Sequence, residues 1–213
     1  MSNGQKNPIR HWRSLYILAR GIEMNKLLPI KMNEAGFTAV ELLITITIAG
    51  IIATLAIPSY QDMLERNRLK QALESLKGDL KLARTEALKR HQPIVVSRKT
   101  GNQGAWCYGL AIRTPAKANC NCEQTNIGAN DFCDVKRILG NDFEYITMEP
   151  AGINNNTFNP RRGTVAAGGV TFSTAKYAAR VVFADTGRVR ICRPQSANMP
   201  SGKVGLPSVT ANC

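Results

Sequence analysis

From Leu42 to Ile57 the chain reads LLITITIAGIIATLAI, without a single charge, and one carboxylate, Glu41, stands at the front edge of this run. A stretch of this length and polarity is close to what a helix needs to cross the apolar layer of a bilayer. There the backbone must satisfy its own hydrogen bonds, so the run predicts a helix and excludes a loop. A carboxylate in such a segment is costly; by default it marks function and has a partner. The nearest candidate partner is an α-amino group, which a cut between Gly36 and Phe37 would create. An ordinary secretory signal fits less well. Its cleavage site needs small residues after the apolar core, whereas Ile57-Pro58-Ser59-Tyr60 follows here.

The order Gly36-Phe37-Thr38-Ala39-Val40-Glu41, followed by an apolar helix with Pro58 at the twenty-second position after the cut, closely resembles the type IV pilin and pseudopilin signature. The resemblance implies that an inner-membrane prepilin peptidase cuts after Gly36 and methylates the new N-terminus at Phe37. It also implies that Glu41 neutralises the N-terminus of a neighbouring subunit during assembly. The expected fold is α+β, a long N-terminal membrane and filament helix packed on a C-terminal antiparallel β-sheet head, the pilin fold. The expected organisation is a leader over 1–36, a transmembrane and filament-core helix over 37–58, an amphipathic helix half over 59–92 and a β-rich head with disulfides over 93–213. The leader carries six basic residues (Lys6, Arg10, Arg13, Arg20, Lys26, Lys31) against Glu23 and Glu34. By the positive-inside rule that balance keeps it in the cytoplasm. The head then faces the periplasm from a single-pass inner-membrane anchor and reaches the cell surface once assembled. The leader is long for Phe-first pilins, and Met24 and Met32 are alternative starts to Met1.

Beyond Pro58, Leu69, Leu73, Leu76, Leu80, Ala83 and Ala87 recur at three and four spacing, one apolar helix stripe. Arg68, Lys70, Glu74, Lys77, Lys81 and Arg84 fall between them as a solvated face. Proline usually kinks a helix, and Pro93 should end this one near Arg90. Strands are expected at 94–96, 106–112, 143–148, 170–172, 178–183 and 188–192, from β-branched runs and alternation. Asn154-Asn155-Asn156 and Asp185-Thr186-Gly187 read as turns. The tail from Arg193 reads as irregular.

All six cysteines (Cys107, Cys120, Cys122, Cys133, Cys192, Cys213) lie after the apolar run, where an oxidising compartment would favour disulfides. Spacing does not choose among their pairings. Many pilins clasp the C-terminal tail, and by that resemblance Cys192 pairs with Cys213. Residues 115–134 read as a stapled loop, with Cys120, Cys122 and Cys133 as metal ligands the competing reading; their spacing is poor for zinc and no histidine is near.

Leu82-Ala83-Arg84-Thr85-Glu86-Ala87-Leu88-Lys89-Arg90, Arg162-Gly163 and Gly187-Arg188-Val189-Arg190 resemble elements of the FimT and FimU minor pilins and of the H pseudopilin of type II secretion. In the FimT branch a Gly-Arg-x-Arg element is associated with DNA binding in natural transformation. The physics is compatible: alternate strand residues share a face, so Arg188 and Arg190 would project together about 7 Å apart, near the spacing of phosphates. Gly187 would let the backbone approach a partner. Residues 161–213 hold Arg161, Arg162, Lys176, Arg180, Arg188, Arg190, Arg193 and Lys203 against Asp185 alone, an electrostatic footprint suited to nucleic acid. The bland alternatives are a charged sheet edge that blocks pairing, an Arg188–Asp185 pair, or a contact to another pilin. A FimU-like assembly initiator and an H-type secretion pseudopilin are the competing functions. The expected partners are other pilin subunits, the prepilin peptidase, the inner membrane before assembly, and DNA.

The only histidines are His11 and His91, and no serine or cysteine sits in a nucleophile motif, so neither an enzyme nor a cofactor is expected. Trp106 and Tyr108 flank Cys107 and read as core packing rather than a base-stacking platform.

Overall fold

The computed structural model describes residues 36–213 apart from Ile153. The leader short of Gly36, with His11 and the alternative starts Met24 and Met32, lies outside the described residues. The chain divides into two compact units, one ending at Ala49 and one over Gly50–Cys213.

Helix α1 spans Ala39–Arg90, starting two residues later than the expected Phe37. Thr38 caps it: its Oγ1 accepts the Glu41 N–H at 3.2 Å, one of the first-turn donors that have no intrahelical acceptor. All described residues of the N-terminal unit are exposed, and by length and composition the helix can cross a membrane. The hydroxyls of Thr45, Thr47 and Thr54 donate to the carbonyls of Leu42, Ile44 and Ile51 at 2.7–2.8 Å, so these polar groups of the apolar run are satisfied within the helix. Helical assignment continues through Pro58. The helix ends at Arg90, and His91 follows with φ of 54°, the left-handed turn that often closes a helix.

In the second unit the α1 stripe is buried as the periodicity implies: Leu69, Leu73, Leu76, Leu80, Ala83 and Ala87 are each at most 2 % exposed. They pack against two sheets. The first has the order β3-β2-β1-β5, from β1 (Ile94–Lys99), β2 (Cys107–Ile112), β3 (Lys136–Leu139) and β5 (Asn156–Phe158). The second runs β4-β6-β7-β8, from β4 (Thr147–Gly152), β6 (Gly168–Ser173), β7 (Tyr177–Phe183) and β8 (Val189–Cys192). These pairings are antiparallel, while β9 (Val204–Gly205) adds a short parallel pairing to β7. The single antiparallel sheet expected from the sequence is therefore two sheets sharing one core. Trp106, Tyr108 and Phe172 lie in it, and the Trp106 ring stacks 6.3 Å from Tyr108 while its Nε1 donates to Ile146 O.

The strand expected over 143–148 begins only at Thr147. Tyr145 takes φ of 65°, which no strand residue adopts, and Phe143 N–H turns back to Gly140 O. The alternation there was that of a turn packing Phe143 and Ile146 inward.

Three disulfides join Cys107–Cys122, Cys120–Cys133 and Cys192–Cys213. The tail clasp is as the resemblance implied, and the metal reading of Cys120, Cys122 and Cys133 is replaced by two staples. The Cys120–Cys133 bridge packs over Gly109, where a Cβ would run into the Cys133 sulfur, so β2 needs a glycine there.

Near Tyr177, the helix is tied to the second sheet by charge. Asp62 Oδ1 accepts from Tyr177 Oη at 2.7 Å and Lys176 Nζ at 3.1 Å, and Arg66 Nη2 donates to Tyr177 Oη at 2.9 Å. The Tyr177 hydroxyl, and then Lys176, hold the Asp62 carboxyl below its ordinary value of 3.8. A depressed carboxylate contributes stability that is present above the ordinary value and lost as pH falls through the folded one. We therefore expect Asp62→Asn to lower the stability near neutrality slightly and to flatten its fall below about pH 4, so that variant and parent converge in acid, read by thermal melts across a pH series. An unchanged acid limb would contradict this tie.

Candidate nucleic-acid interface

The edge of the second sheet is β8, joined to β7 by a tight turn. Gly187 N–H donates to Ala184 O and Ala184 N–H to Arg188 O, each at 2.9 Å, and Gly187 takes φ of 78°, a region that favours glycine. The register sets Val182 opposite Arg190 and Phe183 opposite Val189. Strand alternation then turns Val189 into the core and leaves Arg188 and Arg190 exposed. Among the described residues no ion pair joins Arg188 to Asp185; the Asp185 carboxylate accepts the Thr186 N–H at 2.8 Å instead.

The three short elements singled out in the sequence meet at this turn. A Cβ on Gly187 would meet Gly163 O and lie 2.9 Å from Arg84 Nε, and a Cβ on Gly163 would lie 2.9 Å from the same nitrogen. The two glycines thus form a seat for the Arg84 side chain. Gly187 is buried: the partner its backbone approaches is this chain's own Gly163 and Arg84, and its role is to shape the turn that presents Arg188.

The other candidate cations separate. Arg180 is 9 % exposed and donates to Thr171 Oγ1 at 3.0 Å and Asn198 Oδ1 at 2.9 Å. Burial lowers its pKa from the ordinary guanidinium value, and Gly169 beneath it leaves room for the side chain. As a surface contact it is a correction: β7 alternation sets it beside Thr171 on the face away from the helix core, and the segment around Asn198 covers it there. Arg193 is half-buried against Gly205, with its Nε enclosed and unpartnered. Lys176 is exposed but pairs with Asp62, and Lys203 Nζ donates to Ala175 O at 2.6 Å. Arg161 and Arg162 are exposed beside Gly163; the N–H of Arg161 bonds the Asn159 side chain at 2.8 Å.

Sequence reasoning missed the opposite wall. A cleft of about 450 Å³ runs between β8 and α1, lined by Arg188 and Arg190 on one side and Lys70, Glu74 and Lys77 on the other. Its third side is the tail segment 208–211, fixed by Cys192–Cys213 and by mutual bonds between Arg193 and residues 211 and 213. Lys70, Lys77 and Arg84 follow one another at seven-residue spacing. That interval returns to the same helix face, a signal readable from the sequence but filed there under solvation. At the far end of the chain, Gly36, Phe37 and Glu41 are exposed.

An apolar N-terminal helix with a disulfide-bearing β head behind it defines the class of pilin-like proteins. A family model, Type II transport protein GspH, matches residues 72–197. A fimbrial protein of Dichelobacter nodosus is 32% identical over 116 residues, covering 52% of this chain and 70% of that protein. A Pseudomonas aeruginosa fimbrial protein is 39% identical over 64 residues, or 30% of this chain and 41% of that one. Among solved structures, the type IV minor pilin FimU of Pseudomonas aeruginosa aligns with TM-score 0.46 and 17% identity, over 65% of this chain and 97% of that one. The chain belongs to the GspH family of type IV pilin-like proteins. Such proteins are structural subunits that assemble with other pilins.

Proposed function

We propose that the chain is a minor pilin, cut after Gly36, whose head contacts DNA without regard to sequence and serves its uptake in natural transformation. Prepilin peptidase processes it, Phe37 supplies the N-terminal amine, and Glu41 pairs with the amine of a neighbouring subunit. Its periplasmic head joins a pilus that reaches the cell surface. The observation that carries the DNA reading is the pair Arg188 and Arg190, exposed side by side on an edge strand and lining one cleft together. Arginines presented in this way bond phosphates, which fixes a backbone but reads no bases.

The test is the full chain in detergent with a labelled DNA of arbitrary sequence. Arg188→Gln with Arg190→Gln should weaken binding at least tenfold and lower its salt dependence by roughly two charges, with the melting profile unchanged. Equal binding by the double variant would overturn the reading. The family match favours a second one, an H-type pseudopilin of type II secretion. For that function, deletion blocks exoprotein release and leaves transformation intact, whereas a FimU-like initiator is marked by loss of surface pili with no DNA binding.

A further inference from the structure

Charge on the helix wall of the cleft has no task in the reading above. Lys70 and Lys77 line the same cleft as Arg188 and Arg190. The two lysines are two helical turns apart, about 10 Å along the axis, and run beside a strand whose arginines are about 7 Å apart. The one carboxylate on that wall, Glu74, is held by Lys77 Nζ at 2.9 Å, and no ion pair to Lys70 is seen among the described residues. The remaining wall, at Ser208 and Thr210, adds hydroxyls and no negative charge. The lining therefore holds four cations against one carboxylate, a net charge of +3 (4 − 1) around a space of about 450 Å³.

We propose that the cleft between α1 and β8 seats one phosphodiester strand along its length, with Lys70 and Lys77 gripping it from the helix side while Arg188 and Arg190 grip it from the sheet side. This rests on the DNA reading of β8 and adds to it a second set of contacts and a path for the strand. The path is fixed by the tail: the Cys192–Cys213 disulfide holds segment 208–211 as the cleft's end wall.

The experiment is DNA binding by the full chain in detergent, across a salt series, using a labelled duplex of arbitrary sequence and its single strand. Lys70→Gln with Lys77→Gln should lower the slope of log affinity against log salt by roughly two for the duplex, and by somewhat less for the single strand. Affinity at low salt should fall about tenfold or more. Glu74→Gln should move the other way and tighten binding severalfold, because it removes the repulsion that Lys77 now masks. Lys89→Gln, on α1 but outside the cleft, should change neither quantity. Binding by the lysine double variant with an unchanged slope, while the Arg188/Arg190 variant loses binding, would overturn the two-walled path and leave the β8 reading standing. Unchanged binding by the arginine variant would remove the β8 reading, and this one with it. Weaker binding on Glu74→Gln would also count against the proposal, since removing a negative charge beside a bound phosphate favours binding.

Discussion

Replacing Asp79 by alanine is expected to lower the stability of the folded chain by about 2–3 kcal/mol, the largest single-residue loss in the polar interior. Asp79 is 4 % exposed on the buried face of α1. Its Oδ2 accepts from Tyr108 Oη at 2.8 Å, and its Oδ1 takes a short bond from Lys136 Nζ at 2.5 Å. Burial first, and then the Asp79 charge, pushes the Tyr108 hydroxyl above the ordinary phenol range, so it remains a donor at every physiological pH. Alanine leaves that hydroxyl with Ser75 Oγ at 3.1 Å as its remaining partner, and leaves a half-buried ammonium without its anion. Lys136 can reach water, which holds the cost below that of a fully enclosed broken pair. Chemical denaturation of the full chain in detergent measures the loss. Asp79→Leu combined with Tyr108→Phe should recover part of it, since the buried hydroxyl is removed together with its acceptor and Lys136 can turn to water. A single alanine variant as stable as the parent would show that the Asp79–Tyr108–Lys136 bonds contribute nothing.

Gly187→Ala is the second large effect, about 2–4 kcal/mol, from the strain of a left-handed alanine and the collision of its Cβ with Gly163 O. The loss should fall on function as well, because the turn sets the direction of Arg188 and seats Arg84 beside it. Gly187→Asn separates the two causes. Asparagine tolerates positive φ but carries the same Cβ, so it should rescue little. Gly163→Ala, also at positive φ, meets a flexible arginine side chain rather than a carbonyl, and should be milder. Melting temperature and DNA affinity measured on the same three variants check the order. Full rescue by asparagine would mean that backbone conformation, not close packing against residue 163, fixes the glycine.

The helix was legible because its two halves each obey one rule: an uncharged run, then a stripe from Leu69 to Ala87 at helical spacing. The hairpin of β7 and β8 was legible from Asp185-Thr186-Gly187 between β-branched runs. What escaped were features set by tertiary pairing. β3 and β5 are short and contain Lys136, Arg137 and Asn156, which carry little strand preference; they form because β2 and β1 offer open edges. Asp79 reads in sequence as one more polar helix residue, and only its position opposite Tyr108 and Lys136 makes it interior. Arg180 reads as a surface cation for the same reason: the alternation of β7 was visible, but Asn198, the partner that lets a guanidinium go inside, is eighteen residues away. For the candidate site, the strand arginines were found by motif. The helix lysines were not, because charge on the outer face of a helix is ordinary until a second wall is known to stand across from it.

The threonines of the apolar run have one more consequence. Thr45, Thr47 and Thr54 donate their hydroxyl protons one turn back along their own helix, so these side chains demand nothing of their surroundings. A segment wired in this way can exchange hydrocarbon for the side chains of neighbouring helices without breaking or remaking a hydrogen bond. On the proposed role of Glu41, a passage from lipid to a packed assembly would then turn on packing and on that one charge, with the threonine bonds of the helix kept intact.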